Sequence, residues 1–302
     1  MPDTAVHVDV EGRQLRLSNL EKVLYPDAGF TKAEVIDYYT RVAPALLPHL
    51  RERALTLKRY PSGVDGEFFY EKNCPRHRPP WLDTVHVPYQ GRKGAIDYCL
   101  VNDLAGLIWV ANLASLELHT SLARAADVTC PSMVVFDLDP GPPADIVLCC
   151  DVALRLRRVF DELKLKAFAK TSGSKGLQLY VPLNQRGVTY DETKGFAYAL
   201  AREMEKAHPG EVVSNMKKDL RAGKVFVDWS QNDEHKTTVC VYSLRARPRP
   251  TVSTPVTWDE VERCARRKDA SLLVFDVAAV LARVEKDGDL FAPTASLKQR
   301  LG

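Results

Sequence analysis

The segment Val134-Val135-Phe136-Asp137-Leu138-Asp139-Pro140-Gly141 constrains this chain more than any other. Side chains of a β-strand alternate between its two faces, so residues i and i+2 share one face. The apolar run predicts a strand, and Asp137 and Asp139 then project together from its end. Two carboxylates held that close repel and raise each other's pKa unless a cation lies between them. A divalent metal with oxygen ligands resolves the repulsion. A strand-end turn is the other reading, because Asp and Pro-Gly are ordinary turn formers. The segment alone leaves both open.

The 302 residues are 45% hydrophobic and 27% charged, the balance of a globular protein with a sizeable core. No apolar run has membrane-spanning length and the polar N-terminus lacks a signal peptide, so a cytoplasmic protein is expected. Seven cysteines (74, 99, 130, 149, 150, 240 and 264) include no C-x-x-C pair. That speaks against a zinc ribbon and a disulfide framework, and predicts mostly buried, reduced thiols. A net charge of +3 says little about partners. Basic residues nevertheless cluster at Arg51–Arg59, Lys217–Lys224, Arg245–Arg249 and Arg263–Lys268. One such cluster is usually a solvated face, whereas four point towards nucleic acid.

Two capping boxes, Ser18-Asn-Leu-Glu21 and Thr31-Lys-Ala-Glu34, predict helix starts, the second opening an amphipathic helix over Lys32–His49. Residues 61–94, rich in Pro, Gly, Arg and aromatics, read as a long functional loop or short hairpin. The pattern beyond is mixed, with strands expected at 95–100, 133–138, 166–171, 177–182 and 224–229. Helices are expected near 103–115, 144–164 and 191–207, then after a capping box at Thr257–Glu260 and across SLLVFDVAAVLARVEK. The expected class is α+β: a single domain with an N-terminal subregion (1–94), a catalytic core (95–260) and C-terminal helices (261–302).

Lys170-Thr-Ser-Gly-Ser-Lys-Gly176 is a Gly/Ser loop between two expected strands. Successive N–H groups in such a loop can form an anion nest, to which Ser172 and Lys175 add a hydroxyl and a point charge. The spacing is not that of a Walker A loop, and a plain hairpin turn is an equal reading. In Lys224-Val-Phe-Val-Asp228-Trp-Ser-Gln-Asn232, alternation places Asp228 with Phe226 at a strand end, as a cap or as a ligand. KTTVCVYSLRARP, carrying Lys236 and Arg245, reads as a further strand entering a basic turn. A carboxylate pair, a phosphate loop and a third strand-borne Asp together suit nucleotidyl transfer, in which two metals bridged by carboxylates stabilise an in-line displacement.

These motifs, with SNLEKVLYP, TKAEVIDYY, LTLKRYPSGVDGEFFYEKNCP and DYCLVNDLAGLIWVANLASLELH, carry a resemblance over nearly the whole chain. The chain resembles the polymerase domain of bacterial DNA ligase D and its stand-alone relatives in the archaeo-eukaryotic primase superfamily. The resemblance implies a primase-like core of mixed and antiparallel sheets flanked by helices. It implies a template-dependent DNA/RNA polymerase, favouring ribonucleotides and Mn²⁺ (or Mg²⁺) at two ions per site. It assigns Asp137, Asp139 and Asp228 as catalytic metal ligands, and His119, Ser172, Lys175, Gly176, Gln178, Gln231, Lys236 and Arg245 to the nucleotide. Lys22 and Lys32 match a pair that grips a 5′-phosphate; read alone, they would be two exposed helix lysines. Lys58, Arg59, Phe69, Tyr70, Lys217 and Arg221 match positions that meet DNA. The implied partners are gapped or broken DNA, NTP or dNTP, Ku and a separate ligase, for a monomer at the nucleoid working in end joining or excision repair.

One departure is Gln178, where the family usually has histidine; glutamine donates a hydrogen bond but carries no charge. No K-x-D-G ligase motif or phosphoesterase metal cluster is evident, so a polymerase unit alone is expected. A haloacid-dehalogenase-type phosphohydrolase also begins with D-x-D, but its Gly-Thr continuation and late G-D-x-x-x-D segment are missing. The non-enzyme alternative is a DNA-end-binding or bridging module with weakened catalysis.

Overall fold

The computed structural model describes residues 5–89 and 93–301. Two six-stranded sheets organise them. The first runs in the order Val212–Val213, Val225–Asp228, Met133–Pro140, Leu177–Pro182, Phe168–Thr171, Pro255–Val256. All its pairings are antiparallel except the first, which is parallel. The second runs Thr238–Val239, Ser115–Thr120, Leu55–Arg59, Ala95–Cys99, Thr84–Pro88, with Phe69–Glu71 also paired to Leu55–Arg59. This sheet takes strands from both sides of residue 94. The architecture is α+β.

Alternation along Met133–Pro140 sends its side chains into two cores. Val134, Phe136 and Leu138 pack with the helices Ile146–Glu162 and Tyr190–Ala207. Met133 and Val135 enter the larger core with the helices Lys32–Leu50 and Leu104–Asn112 and the second sheet. Further along that second face, Asp137 and Asp139 replace the apolar residues. The Asn232 carboxamide pairs with both Val135 N (2.9 Å) and Val135 O (2.7 Å), extending the strand's hydrogen bonding past Asp228.

The capping box at Thr31 opens Lys32–Leu50 and that at Thr257 opens Trp258–Arg267. Ser18 opens no helix: Asn19 takes a left-handed φ of 55°, and the chain turns into the strand Val23–Tyr25 before Pro26. A capping motif without an amphipathic run behind it lacks the burial that sustains a helix. KTTVCVYSLRARP is not one strand but two, Thr238–Val239 and Leu244–Arg245, separated at Tyr242 with φ 63°. SLLVFDVAAVLARVEK is likewise interrupted, since Asp276 caps a new helix, Val277–Asp287, after a short 3-10 turn.

Cys74 and Cys99 are joined by a disulfide, against the expectation of reduced thiols; the Cα atoms lie 4.8 Å apart. It ties the segment after Phe69–Glu71 to the second sheet. Cys149, Cys150, Cys240 and Cys264 are free and buried. Among the described residues, no helix is long and apolar enough to cross a membrane.

Candidate active site

Pairing across the first sheet builds one polar row. Asp228 lies directly opposite Asp137, Asp137 opposite Gln178, and Gln178 opposite Lys170. Directly opposed residues share a face about 5 Å apart. Asp139 is on the same face, opposite Phe226. Asp137 Oδ1 is buried and has no hydrogen-bond partner among the described residues. Burial, then the charges of Asp139 and Asp228, push Asp137 well above the usual carboxylate range, against a hydrogen bond from Gln178. Asp139 is also raised, by burial and by Asp228, while Arg221, Arg245 and Lys175 pull it back.

Of the two parts the sequence allowed, the structure shows Asp228 as a cap. Its Oδ1 caps the short turn Trp229–Gln231 by accepting from Ser230 N at 3.0 Å, and its Oδ2 accepts from Gln231 Nε2 at 2.9 Å. Lys236 reaches this group by donating to Ser230 Oγ. Among the described residues, no three His, Cys, Asp or Glu side chains enclose an ion unaided. An unpartnered buried carboxylate oxygen beside two further carboxylates nevertheless fits an oxygen-liganded divalent cation. Such an ion completes its shell with water and phosphate oxygens when the protein offers one or two carboxylates.

Asp137, Asp139 and Gln178 face a cleft of about 330 Å³ that also presents Tyr70, His119, Ser172, Lys175, Gln231 and Arg245. The Gly/Ser loop is a hairpin turn and a wall of the cleft at once. Ser172 Oγ accepts from Ser174 N (3.2 Å) and Gly176 N (3.1 Å), holding the turn closed. Position 176 admits only glycine, since a Cβ there would lie 2.1 Å from Leu138 O.

The second sheet supplies the opposite wall. Glu117, which the sequence reading missed, is its hub and only 2% exposed. It faces His119 Nε2 at 2.9 Å, Arg245 Nε at 3.4 Å and Lys58 Nζ at 3.6 Å. Burial by itself would raise Glu117, but the His119 hydrogen bond and the charges of Arg245, His119 and Lys58 outweigh it and hold the carboxyl at about 2. Arg245 Nη1 also donates to Ser172 O at 2.7 Å, linking hub to loop. Burial lowers the pKa of His119, against the pull of Glu117. The spacing of Glu117 and His119 in LELH was the available signal, since a strand puts both on one face.

Phe69 and Tyr70 separate onto the two faces of their strand. Tyr70 lies opposite Lys58 and meets the His119 ring at 6.0 Å, on the cleft side. Phe69 lies opposite Arg59, whose guanidinium is 5.1 Å from its ring. Both rings are exposed, at 43% and 56% for Phe69 and Tyr70. Lys58 sits over the rings of Phe68 (4.3 Å) and Tyr60 (5.3 Å).

Lys32 is not an exposed helix lysine. It is 5% exposed and donates to Ser18 O at 2.7 Å. Burial, then the charges of Lys22 and Arg59, lower its pKa to about 8. Arg59 is partly neutralised by Glu71 at 2.7 Å. Lys217 is exposed, and Arg221 lies 3.7 Å over the Phe226 ring beside Asp139. In the Arg51–Arg59 cluster, Arg53 is structural: it is buried and donates to Leu122 O and Ser132 Oγ, both at 2.8 Å.

Residues 31–291 match the family model described as LigD, primase-polymerase domain. The multifunctional non-homologous end joining protein LigD of Mycolicibacterium smegmatis is 42% identical over 286 residues, covering 93% of this chain and 36% of that protein. The bifunctional non-homologous end joining protein LigD of Bacillus subtilis is 30% identical over 275 residues, covering 91% of this chain and 43% of its own length. The chain therefore spans well under half of these relatives. Among solved structures, the polymerase domain of Mycobacterium tuberculosis ligase D in complex with DNA superposes with a TM-score of 0.86 at 39% identity, covering 94% of this chain and 99% of that one. The chain belongs to the LigD primase-polymerase family.

Proposed function

We propose that this protein is a DNA-repair polymerase, a metal-dependent nucleotidyltransferase that adds nucleotides to a primer at gapped or broken DNA bearing a 5′-phosphate. The observation that carries this reading is Asp137, buried with an unpartnered oxygen, opposite Asp228 and beside Asp139 at the floor of a cleft lined by Ser172, Lys175 and Arg245. Asp137, Asp139 and Asp228 would hold two Mn²⁺ or Mg²⁺ ions, which activate the primer hydroxyl and offset charge at the α-phosphate when bound.

The chain's own groups do the rest. Lys175 and Arg245 supply positive charge to a triphosphate, and Gly176 lets the loop backbone approach the central strand closely. Glu117 orients His119 and Arg245 towards the incoming nucleotide. Lys22, Lys32 and Arg59 form the cationic group suited to a 5′-phosphate. Exposed Phe69 and Tyr70 offer stacking surfaces for template bases. Lys58, Lys217 and Arg221 contact the strands, and Gln231 and Lys236 secure the turn that carries Asp228. Preference for ribonucleotides, cooperation with Ku and a ligase, and residence at the nucleoid complete the proposal; the name end joining borne by the relatives supports it.

The test is primer extension on a gapped duplex with and without the 5′-phosphate, comparing NTP with dNTP and Mn²⁺ with Mg²⁺. Incorporation stimulated by the phosphate is expected, and its absence removes the role given to Lys22 and Lys32. End binding without incorporation under any of these conditions would favour the bridging-module alternative.

A further inference from the structure

Lys170 has no exposed surface, yet it carries an amine in the middle of a sheet. A buried amine is costly unless its hydrogen bonds are met, and a long side chain also loses rotamer freedom. The described contacts show how this one is met. Lys170 Nζ donates to Gln178 Oε1 and, at 2.7 Å, to Ser253 Oγ. The Ser253 hydroxyl proton is committed to Thr171 O at 2.9 Å, so Ser253 Oγ can only accept from the amine. The Tyr180 ring lies 5.5 Å from Nζ.

Gln178 turns its carbonyl oxygen towards Lys170 Nζ, the orientation a donating amine requires, which aims the amide N–H₂ the other way along the row. The next residue in that row is Asp137. The hydrogen bond from Gln178 is among the groups that favour the ionised Asp137 carboxyl. We propose that Lys170 is a positioning residue for the carboxylate centre: it locks the Gln178 carboxamide in the flip that presents N–H₂ to Asp137, leaving the other Asp137 oxygen free towards the cleft. Lys170 never touches substrate: it acts on Asp137 through Gln178, alongside the direct attraction between its charge and the Asp137 carboxylate. The inference rests on the metal site proposed above.

The test compares Lys170→Met, Gln178→Leu and the double variant with the wild type. Two readouts are used: the Mn²⁺ concentration needed for half-maximal thermal stabilisation of the protein without DNA, and the Mn²⁺ concentration for half-maximal primer extension. Loss of a group that orients a ligand weakens metal affinity by roughly tenfold or more. Lys170→Met and Gln178→Leu should each show that loss in both readouts, and the double variant should lose less than the product of the two single losses. Multiplicative losses in the double variant, or unchanged Mn²⁺ dependence in Lys170→Met, overturn the inference. Should Lys170→Met fail to fold, Ser253→Ala removes only the second anchor of Nζ; a smaller loss in the same direction is expected, and none overturns the inference. A wild type with no Mn²⁺-dependent stabilisation and no Mn²⁺-dependent extension overturns the metal site itself, a distinct result.

Discussion

Replacing Glu117 with Gln keeps the shape of the hub and removes its charge. The carboxylate is 3% exposed, and its partners Lys58, His119 and Arg245 have side-chain exposures of 13%, 13% and 17%, so solvent does little to screen the cluster. Removing one partner from a buried ionic cluster costs about 3–5 kcal/mol, because the remaining charges stay buried. Linkage gives a consistent magnitude. Glu117 titrates at about 2 in the fold against an ordinary 4.5, which corresponds to about 3 kcal/mol of stability. A depressed carboxyl pKa contributes stability that is complete above the unfolded value and is lost as pH falls through the folded one. Urea denaturation of wild type and Glu117→Gln should therefore differ by about 3 kcal/mol at neutral pH. That difference should shrink as pH is lowered from 4.5 towards about 2. A variant within about 1 kcal/mol of wild type at neutral pH refutes the hub, as does a gap that ignores acidification.

Gly176→Ala sets a Cβ against Leu138 O, so loop or strand must shift; a loss of about 1–3 kcal/mol is expected in a thermal melt, with a raised nucleotide KM in primer extension. Lys32 predicts a pH effect. Its charged form is disfavoured in the fold, so raising pH through about 8 discharges it while the unfolded chain stays protonated up to 10.5; stability rises over that window and attraction for phosphate is lost. The preference for 5′-phosphorylated over 5′-hydroxyl gapped DNA, measured by fluorescence anisotropy, should accordingly be smaller well above that pH than at neutrality.

Local pattern made parts of this site legible. Alternation put Asp137 and Asp139 on one face, and the strand Met133–Pro140 does so through a run that feeds two different cores. The capping boxes at Thr31 and Thr257 sat before amphipathic runs and opened helices, whereas Ser18 had none behind it. What sequence could not supply was pairing between distant strands. Glu117 becomes a hub only because Leu55–Arg59 and Arg245 come to lie beside it, and the row from Asp228 to Lys170 exists only in the register of four strands. Lys32 likewise reads as a surface lysine until Ser18 O and its cationic neighbours are found around it.

The proposed catalytic metal centre is Asp137 with the carboxylates opposite and beside it. It is tested most directly by single-nucleotide incorporation on a 5′-phosphorylated gapped duplex with Mn²⁺, comparing wild type with the Asp137→Ala, Asp139→Ala double variant after circular dichroism has verified that both are folded. Incorporation that falls to background in the folded variant, with DNA binding retained, is the predicted result. Incorporation that survives the loss of both carboxylates rules that centre out.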